Sequence, residues 1–104
     1  MKTCEWQRGE DNEIQFIGEL DRMTVPALWK QRKSWLSGEQ VLTLNLQGVT
    51  KIDSAGVAML LEAKRAVLAD QRELAITHAN QQLHAMVQVS GVSALLQLNE
   101  HTNK

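Results

Sequence analysis

The residues best suited to chemistry lie in one short segment of the chain, Lys51–Val57. The pattern predicts that a strand and its loop end at Asp53 and Ser54, and that a helix begins there. A helix N-terminus carries unpaired backbone N–H groups and a partial positive charge, so it would stabilise a phosphate on Ser54. A second interpretation stays open: Asp53 or Ser54 only caps the helix, and Gly56 only relieves a tight turn against the sheet.

Known enzymatic constellations are absent from the rest of the sequence. There is no phosphate-binding loop, no dinucleotide-binding glycine motif and no C-x-x-C or H-E-x-x-H spacing. His78 and His84 are six residues apart in different parts of a strand-to-helix connection, and we expect both to be surface residues. Cys4 has no base beside it, which predicts an inert thiol. The sequence therefore predicts a protein that is not an enzyme, without catalytic residues, metal or cofactor.

Composition sets the class of protein. The chain has 104 residues, of which 43% are hydrophobic and 22% charged, as in an ordinary globular domain. Its formal net charge of -1 argues against a general nucleic-acid-binding protein. The single cysteine excludes an internal disulfide and favours a reducing compartment. No stretch approaches the ~18 apolar residues of a membrane span. We expect a single cytosolic domain over residues 1–104, with a core at about residues 3–98 and a frayed tail at residues 99–104.

The elements that position the Lys51–Val57 segment follow from the spacing of apolar residues. Alternation predicts strands at residues 3–8, 13–18, 41–46 and 74–77, the first two joined as a hairpin through residues 9–12. Helices are predicted from Thr24 to Ser37, from Ser54 to Asp70 and from Asn80 to Gly91, with a loop at residues 47–51 and a last turn starting at Ser93. The order β-β-α-β-α-β-α predicts an α/β domain with a largely parallel centre and right-handed crossovers.

Two helix faces carry further expectations. In the first helix, Trp29 and Trp35 fall at opposite edges of the apolar stripe, and we expect Trp35 to be the more exposed of the two. In the second helix the predicted core residues are Val57, Leu60, Leu61, Val67 and Leu68. Lys64 lies near that face, where its stem would pack and its ammonium would reach solvent.

Three motifs in this order resemble the STAS domain family, named after sulfate transporters and anti-sigma factor antagonists. They are Gly18-Glu19-Leu20-Asp21, Asp53-Ser54-Ala55-Gly56-Val57 and Ser90-Gly91-Val92, and the resemblance covers about residues 3–98. It implies a four- to five-stranded mixed sheet with helices packed largely on one face. It also implies a non-catalytic domain that binds partners around the start of the second helix.

Two branches of the family imply different partners. The segment Val25–Lys30, with its Leu28-Trp29 pair, is similar to the cytoplasmic STAS subunit of Mla phospholipid-transport ABC systems. That resemblance implies binding to the ATPase subunit, peripheral to the inner membrane. The alternative is an anti-sigma factor antagonist, in which Ser54 would be phosphorylated by a partner kinase and the phosphate would block binding. Many Mla subunits have threonine where this chain has Ser54.

We expect the partner to bind the side of the second helix away from the strongest apolar positions, where small residues and a methionine would form a flat patch. Trp29 is included among the partner-binding residues, although filling the core is the simpler role for a tryptophan in an apolar stripe. An exposed tryptophan near the interface would be a candidate anchor, and Trp35 is the one expected to be more exposed. The predicted partner-binding residues are Trp29, Asp53, Ser54, Ala55, Gly56, Ala58, Met59 and Glu62.

Overall fold

Four strands form one mixed sheet in the order β1-β2-β3-β4. The computed structural model describes residues 3–90, except 11 and 39. The strands are β1 (Cys4–Arg8), β2 (Glu13–Leu20), β3 (Val41–Ile52) and β4 (Glu73–Thr77). Strand β1 runs antiparallel to β2, whereas β2, β3 and β4 run parallel. The predicted hairpin and parallel centre are confirmed.

Strand β3 is twice as long as predicted, because residues 47–51 continue the strand and form no loop. They pair with the second half of β2, where Gly18 lies opposite Val49 and Leu20 opposite Ile52. The register shifts twice along this pair. Each shift breaks the strict alternation of buried and exposed residues by which a strand is recognised in sequence.

Four helices connect or follow the strands: α1 (Val25–Lys30), α2 (Arg32–Trp35), α3 (Ser54–Ala69) and α4 (Gln81–Ser90). The single helix predicted from Thr24 to Ser37 is wrong, because the chain breaks at Gln31, whose N–H bonds the Leu28 carbonyl at 3.1 Å in a tighter turn. Asn80 accepts from the Leu83 N–H at 2.9 Å, as expected for a cap of the last helix. Gly91 and Ser93 lie outside the described residues.

The break at Gln31 turns Trp35 into the core, which reverses the expectation that it is the more exposed tryptophan. Trp35 is fully buried. Its ring meets the edge of Phe16 at 5.0 Å between centroids, and its Nε1 donates to the Leu28 carbonyl at 3.0 Å. Trp29 is half-buried. The prediction failed because it assumed one continuous helical period across Gln31.

The core fills the space between the helices and one face of the sheet, which confirms the predicted one-sided packing. Ile14, Leu44 and Ile76 form a buried row across β2, β3 and β4. The opposite face is polar: Gln7 donates to Gln15, Gln15 to Glu13, and Asn45 to Glu13. Further buried residues come from each helix, namely Leu28, Trp35, Leu60, Ala63, Val67, Leu83 and Val87.

The buried face of helix α3 differs from the predicted apolar face. At about 100° per residue, the centre of the buried positions is rotated roughly 60° about the helix axis from the centre of the predicted ones. Leu68 is therefore exposed, whereas Met59 is buried. Lys64 packs its stem as expected, but its ammonium turns inward to the Leu74 carbonyl oxygen at 3.5 Å and does not reach solvent. Burial lowers the pKa of Lys64, and the nearby Glu73 carboxylate opposes this shift.

Gly56 allows α3 to start against the ends of β2 and β3. A Cβ at this position would lie 2.5 Å from the Leu20 carbonyl oxygen and 2.7 Å from Ile52 Cγ1. Both neighbours belong to the paired ends of the two parallel strands, where Leu20 is opposite Ile52. Gly56 therefore faces the sheet, so the expectation that it contributes to a partner-binding surface is corrected.

We expect Gly56→Ala to lower the free energy of unfolding by about 1–3 kcal/mol, because the added methyl group forces α3 away from the sheet. Helix propensity alone would give the opposite sign, since alanine favours a helix by about 1 kcal/mol over glycine. Urea unfolding of both forms measures the difference. Ala58→Gly, at an exposed position of the same helix, is the control and should cost about 1 kcal/mol. A more stable Gly56→Ala protein would contradict the close approach.

Candidate functional site

Asp53 caps α3 and joins it to the turn that follows β2. Its Oδ1 accepts from the N–H groups of Ala55 and Gly56 at 2.9 and 3.2 Å. Its Oδ2 accepts from the Arg22 N–H at 3.2 Å. Of the two candidate caps, Asp53 is therefore the one used, and Ser54 is the first residue of the helix. Because these three hydrogen bonds go to backbone N–H groups of α3 and of the turn, Asp53 fixes the start of α3 relative to the turn after β2.

The turn after β2 is held by a set of short hydrogen bonds that explains part of the Gly18–Asp21 motif. Asp21 Oδ1 accepts from the N–H groups of Met23 and Thr24 at 2.9 and 3.2 Å. Thr24 Oγ1 donates to the Glu19 carbonyl at 2.7 Å. Thr24 stands at the N-cap position of α1, as predicted, but its hydroxyl closes this turn and makes no capping bond. The turn is thus pre-organised beside the start of α3.

Gly18 begins the same motif for a backbone reason. Its φ of 123° is a conformation that residues with a side chain rarely adopt. A Cβ there would also collide with the Thr3 carbonyl oxygen. Gly18 therefore allows the register shift in β2, after which Leu20 pairs with Ile52, two residues before the start of α3.

A cleft of about 310 Å³ opens between this turn, the end of β3 and the start of α4. Gln82 of α4 closes one side, and its Oε1 accepts from the Ile52 N–H at 3.1 Å. Arg22 and Lys51 are exposed at the rim. Met23 lies beside them with 69% of its surface exposed. The cleft also contains the Asp21 and Asp53 carboxylates, so its exposed rim is basic although its charges balance.

None of Arg22, Met23, Lys51 and Gln82 was among the predicted site residues. A signal for three of them does exist in the sequence. The carboxyl ends of neighbouring parallel strands meet at one edge of a sheet, so the loops that follow β2 and β3 must lie together. Gln82 could not be found this way, because its contact depends on how α4 packs.

Four predicted partner-binding residues lie together on the outer side of α3. We call Ser54, Ala55, Ala58 and Glu62 the α3 surface. Ser54 and Ala58 are exposed, and Ala55 is half-buried. Glu62 is exposed and makes an ion pair of 3.2 Å with Arg65 on the next turn. Over the first two turns of α3 the side chains of this surface are small and uncharged.

Met59 does not belong to the α3 surface, which corrects its predicted place in the docking patch. Only 3% of Met59 is exposed. Helix α1 packs against α3, and the rotation of α3 described above places Met59 among the buried positions. The sequence pattern missed this because Leu61 and Leu68 displaced the predicted centre of the apolar face.

Trp29, one of the predicted partner-binding residues, lies on α1, which packs against α3. Its ring meets the buried Trp35 at 6.1 Å between centroids. The Arg32 guanidinium lies 4.9 Å from the ring centre and donates to the Trp29 carbonyl at 3.1 Å. Trp29 is therefore held from one side by the core and from another by a cation, with part of its surface exposed.

The other candidate chemical groups lie away from this site. Cys4 is half-buried on the edge strand β1. Burial raises the pKa of its thiol from 9.0 to about 11, and the charges of Asp21 and Glu5 act in the same direction. His78 is exposed, as predicted, and His84 is half-buried on α4. Within residues 3–90, leaving out 11 and 39, no three His, Cys, Asp or Glu side chains form a cluster that could hold a metal ion.

A mixed sheet with helices packed on one face, in which a helix capped by Asp53 follows the central strand β3, is the architecture expected of a STAS domain. The chain belongs to this family: the model described as "Mlab, STAS domain" matches residues 6–97. No helix in the part of the chain that the structure describes has the length and apolar character needed to cross a membrane.

Two curated relatives come from the two branches that the sequence resembles. The chain is 29% identical over 98 residues to the intermembrane phospholipid transport system binding protein MlaB of Haemophilus influenzae, covering 89% of this chain and 93% of the relative. It is 28% identical over 91 residues to the anti-sigma-B factor antagonist of Staphylococcus aureus (strain NCTC 8325 / PS 47), covering 86% and 84%.

A solved structure confirms the fold. The anti-sigma factor antagonist SpoIIAA in its unphosphorylated form matches with a TM-score of 0.63 and 16% sequence identity, covering 82% of this chain and 81% of that one.

We expect Asp53→Ala to lower the free energy of unfolding by about 1–2 kcal/mol, because two capped N–H groups lose their acceptor. Asp53→Asn keeps an acceptor oxygen and should cost less. Urea unfolding gives both values. Asp70→Ala, at the other end of α3, removes an exposed carboxylate that caps no N-terminus and is the control. Equal losses for Asp53→Ala and Asp70→Ala would show that the cap does not hold the site.

We expect the Cys4 thiol of the folded protein to react with iodoacetamide at pH 8 about a hundredfold more slowly than that of the unfolded chain, since two pKa units separate the states. Because burial disfavours the thiolate, this pKa does not affect stability well below pH 9.0, and the free energy of unfolding falls as the pH rises from 9.0 to about 11. Stopped-flow alkylation with and without urea measures the ratio. Equal rates would contradict the burial of the thiol.

Proposed function

We propose that this protein is a non-catalytic accessory subunit that binds the ATPase of an Mla-type phospholipid ABC transporter and stabilises or regulates it. The observation that carries the proposal is the α3 surface, whose side chains are small over the first two turns and mostly exposed; the helix that carries Trp29, α1, packs against α3. Similarity to a phospholipid transport binding protein along 93% of that relative supports the choice of partner. The subunit would be cytoplasmic and peripheral to the inner membrane through its complex.

The α3 surface suits docking of another protein for physical reasons. Ser54 and Ala58 present few atoms beyond the helix backbone, so a partner helix or loop can approach closely. Trp29 offers a large ring that the core and Arg32 already hold, so little conformational entropy is lost on binding. Large aromatic residues often supply most of the binding energy at an interface. The partner therefore needs a flat, uncharged area for the α3 surface, and an apolar recess if it also contacts Trp29.

A regulatory switch is the second candidate function, and one observation favours it. Ser54 is exposed at the first residue of a 16-residue helix, with the basic rim of Arg22 and Lys51 nearby. A phosphate there would be stabilised by the helix N-terminus and by these cations. It would also add bulk and about two negative charges to the docking surface. Similarity to an anti-sigma-B factor antagonist supports this alternative, with an anti-sigma factor and a serine kinase as partners.

We expect Ser54→Asp and Ala58→Arg each to weaken binding to the ATPase at least tenfold, because both place charge and bulk in the uncharged area. The dissociation constant is measured by calorimetry with the purified ATPase of the same organism. Ala85→Arg makes the same change at an exposed position of α4 and should bind like the wild type. Urea unfolding of each variant checks that the domain is folded. Unchanged affinity for both α3 variants would remove the proposed surface.

Native purification separates the two candidate functions. The protein is isolated at its natural expression level from detergent-solubilised cells, and mass spectrometry identifies its partners and the phosphate on Ser54. An ABC ATPase with its permease supports the transporter subunit. A soluble kinase or anti-sigma factor, with phosphate on Ser54, would overturn it in favour of the switch.

A further inference from the structure

A second cleft of about 310 Å³ lies between α2 and the last turns of α3. Ala66, where the cleft begins on α3, is roughly 18 Å along the helix from Ser54. None of the residues of the α3 surface lines the cleft, and its role does not depend on the proposed function. The lining residues that matter for binding are Arg32, Lys33, Leu36, Ala66, Asp70 and Arg72.

Two guanidinium groups of this cleft are held in place by the fold. The Arg72 side chain is only 13% exposed, and its Nη1 donates to the Leu36 carbonyl at 2.7 Å. Arg32 is fixed by the Trp29 ring and by the Trp29 carbonyl, as described above. Side chains that are already ordered lose little entropy when they bind a ligand. The cleft therefore has a pre-organised cationic wall.

The charges in the cleft do not balance. Arg32, Lys33 and Arg72 contribute three positive charges, and Asp70 contributes one negative charge. Asp70 lies 3.9 Å from Arg72 Nη1 and its side chain is 73% exposed, so this ion pair is weak and screened by solvent. In a chain with a formal net charge of -1, the cleft is a local region of positive potential.

We propose that this cleft binds a phosphate monoester whose organic part packs against Leu36 and Ala66. A phosphate ester carries nearly two negative charges and three acceptor oxygens, which matches three cationic groups better than a carboxylate with two oxygens does. Guanidinium groups pair with phosphate through fixed, planar donors. The volume is at the lower end of the range for small-molecule sites, about 300–1,000 Å³, so the ligand is small.

The test is a titration of the full-length protein with glycerol 3-phosphate, followed by two-dimensional amide NMR. We expect saturable shifts at the amides of Arg32, Lys33 and Asp70. Lys33→Gln should weaken binding about threefold to tenfold, since it removes a charge-assisted contact. Asp70→Asn should strengthen binding about threefold, because it removes the opposing carboxylate. Arg72 is left intact because it also holds the Leu36 carbonyl.

Lys30→Gln is the matched control, since it removes one exposed lysine that lines neither cleft. Its binding of glycerol 3-phosphate should equal that of the wild type. If Lys51→Gln weakens binding and Lys33→Gln does not, with shifts at Ala55 and Gly56, the anion binds the α3 N-terminus and the proposal is overturned. It is also overturned if the shifts do not saturate, or if Lys30→Gln weakens binding as much as Lys33→Gln does.

Vesicles distinguish two sources of the same phosphate chemistry. The protein is sedimented with phosphatidylcholine vesicles that contain phosphatidic acid, in the presence and absence of glycerol 3-phosphate. Cosedimentation that Lys33→Gln and the free ester both reduce supports the cleft and identifies a lipid headgroup as the source. Saturable binding of the ester without cosedimentation supports the cleft and identifies a soluble ester.

Discussion

The carboxylate of Asp53 is the interaction on which the site depends. One of its oxygens satisfies two N–H groups at the start of α3, and the other reaches the backbone of the turn after β2. One side chain thus fixes the junction of β3 and α3 to the Arg22 turn, 31 residues earlier in the sequence. The position and direction of Ser54 follow from this arrangement, because it is the next residue.

Packing beneath that carboxylate determines which side of α3 faces outward. Gly56 lets the helix backbone approach Leu20 and Ile52, which end two paired parallel strands. With this approach fixed, the residues that follow along one side of α3 are buried, and Ala58 on the other side is exposed. The same constraint exposes Leu68 and buries Met59. The contacts of α3 with the sheet therefore determine which of its residues are exposed.

The features that sequence predicted correctly depend on local patterns, and those it missed depend on packing. The opening hairpin, the parallel centre and the helix start at Ser54 follow from alternation and capping chemistry. The burial of Trp35 and the length of β3 do not follow from local patterns. The first depends on the helix break at Gln31, and the second depends on the irregular pairing of β3 with β2. The cleft near Asp53 combines both: the loops that meet there are predictable, whereas Gln82 reaches it only through the docking of α4.

The two candidate functions use the same geometry and differ in one atom group at Ser54. An unmodified hydroxyl leaves the first turns of α3 flat and nearly uncharged, which favours a stable interface of constant affinity. A phosphate in the same place would lie at the positive end of the helix dipole, but beside the Asp53 carboxylate, which already accepts from the Ala55 and Gly56 N–H groups. Its charge and bulk would change the outer side of α3 without a change in the fold. The geometry is therefore compatible with both candidate functions, and they differ in whether Ser54 is modified.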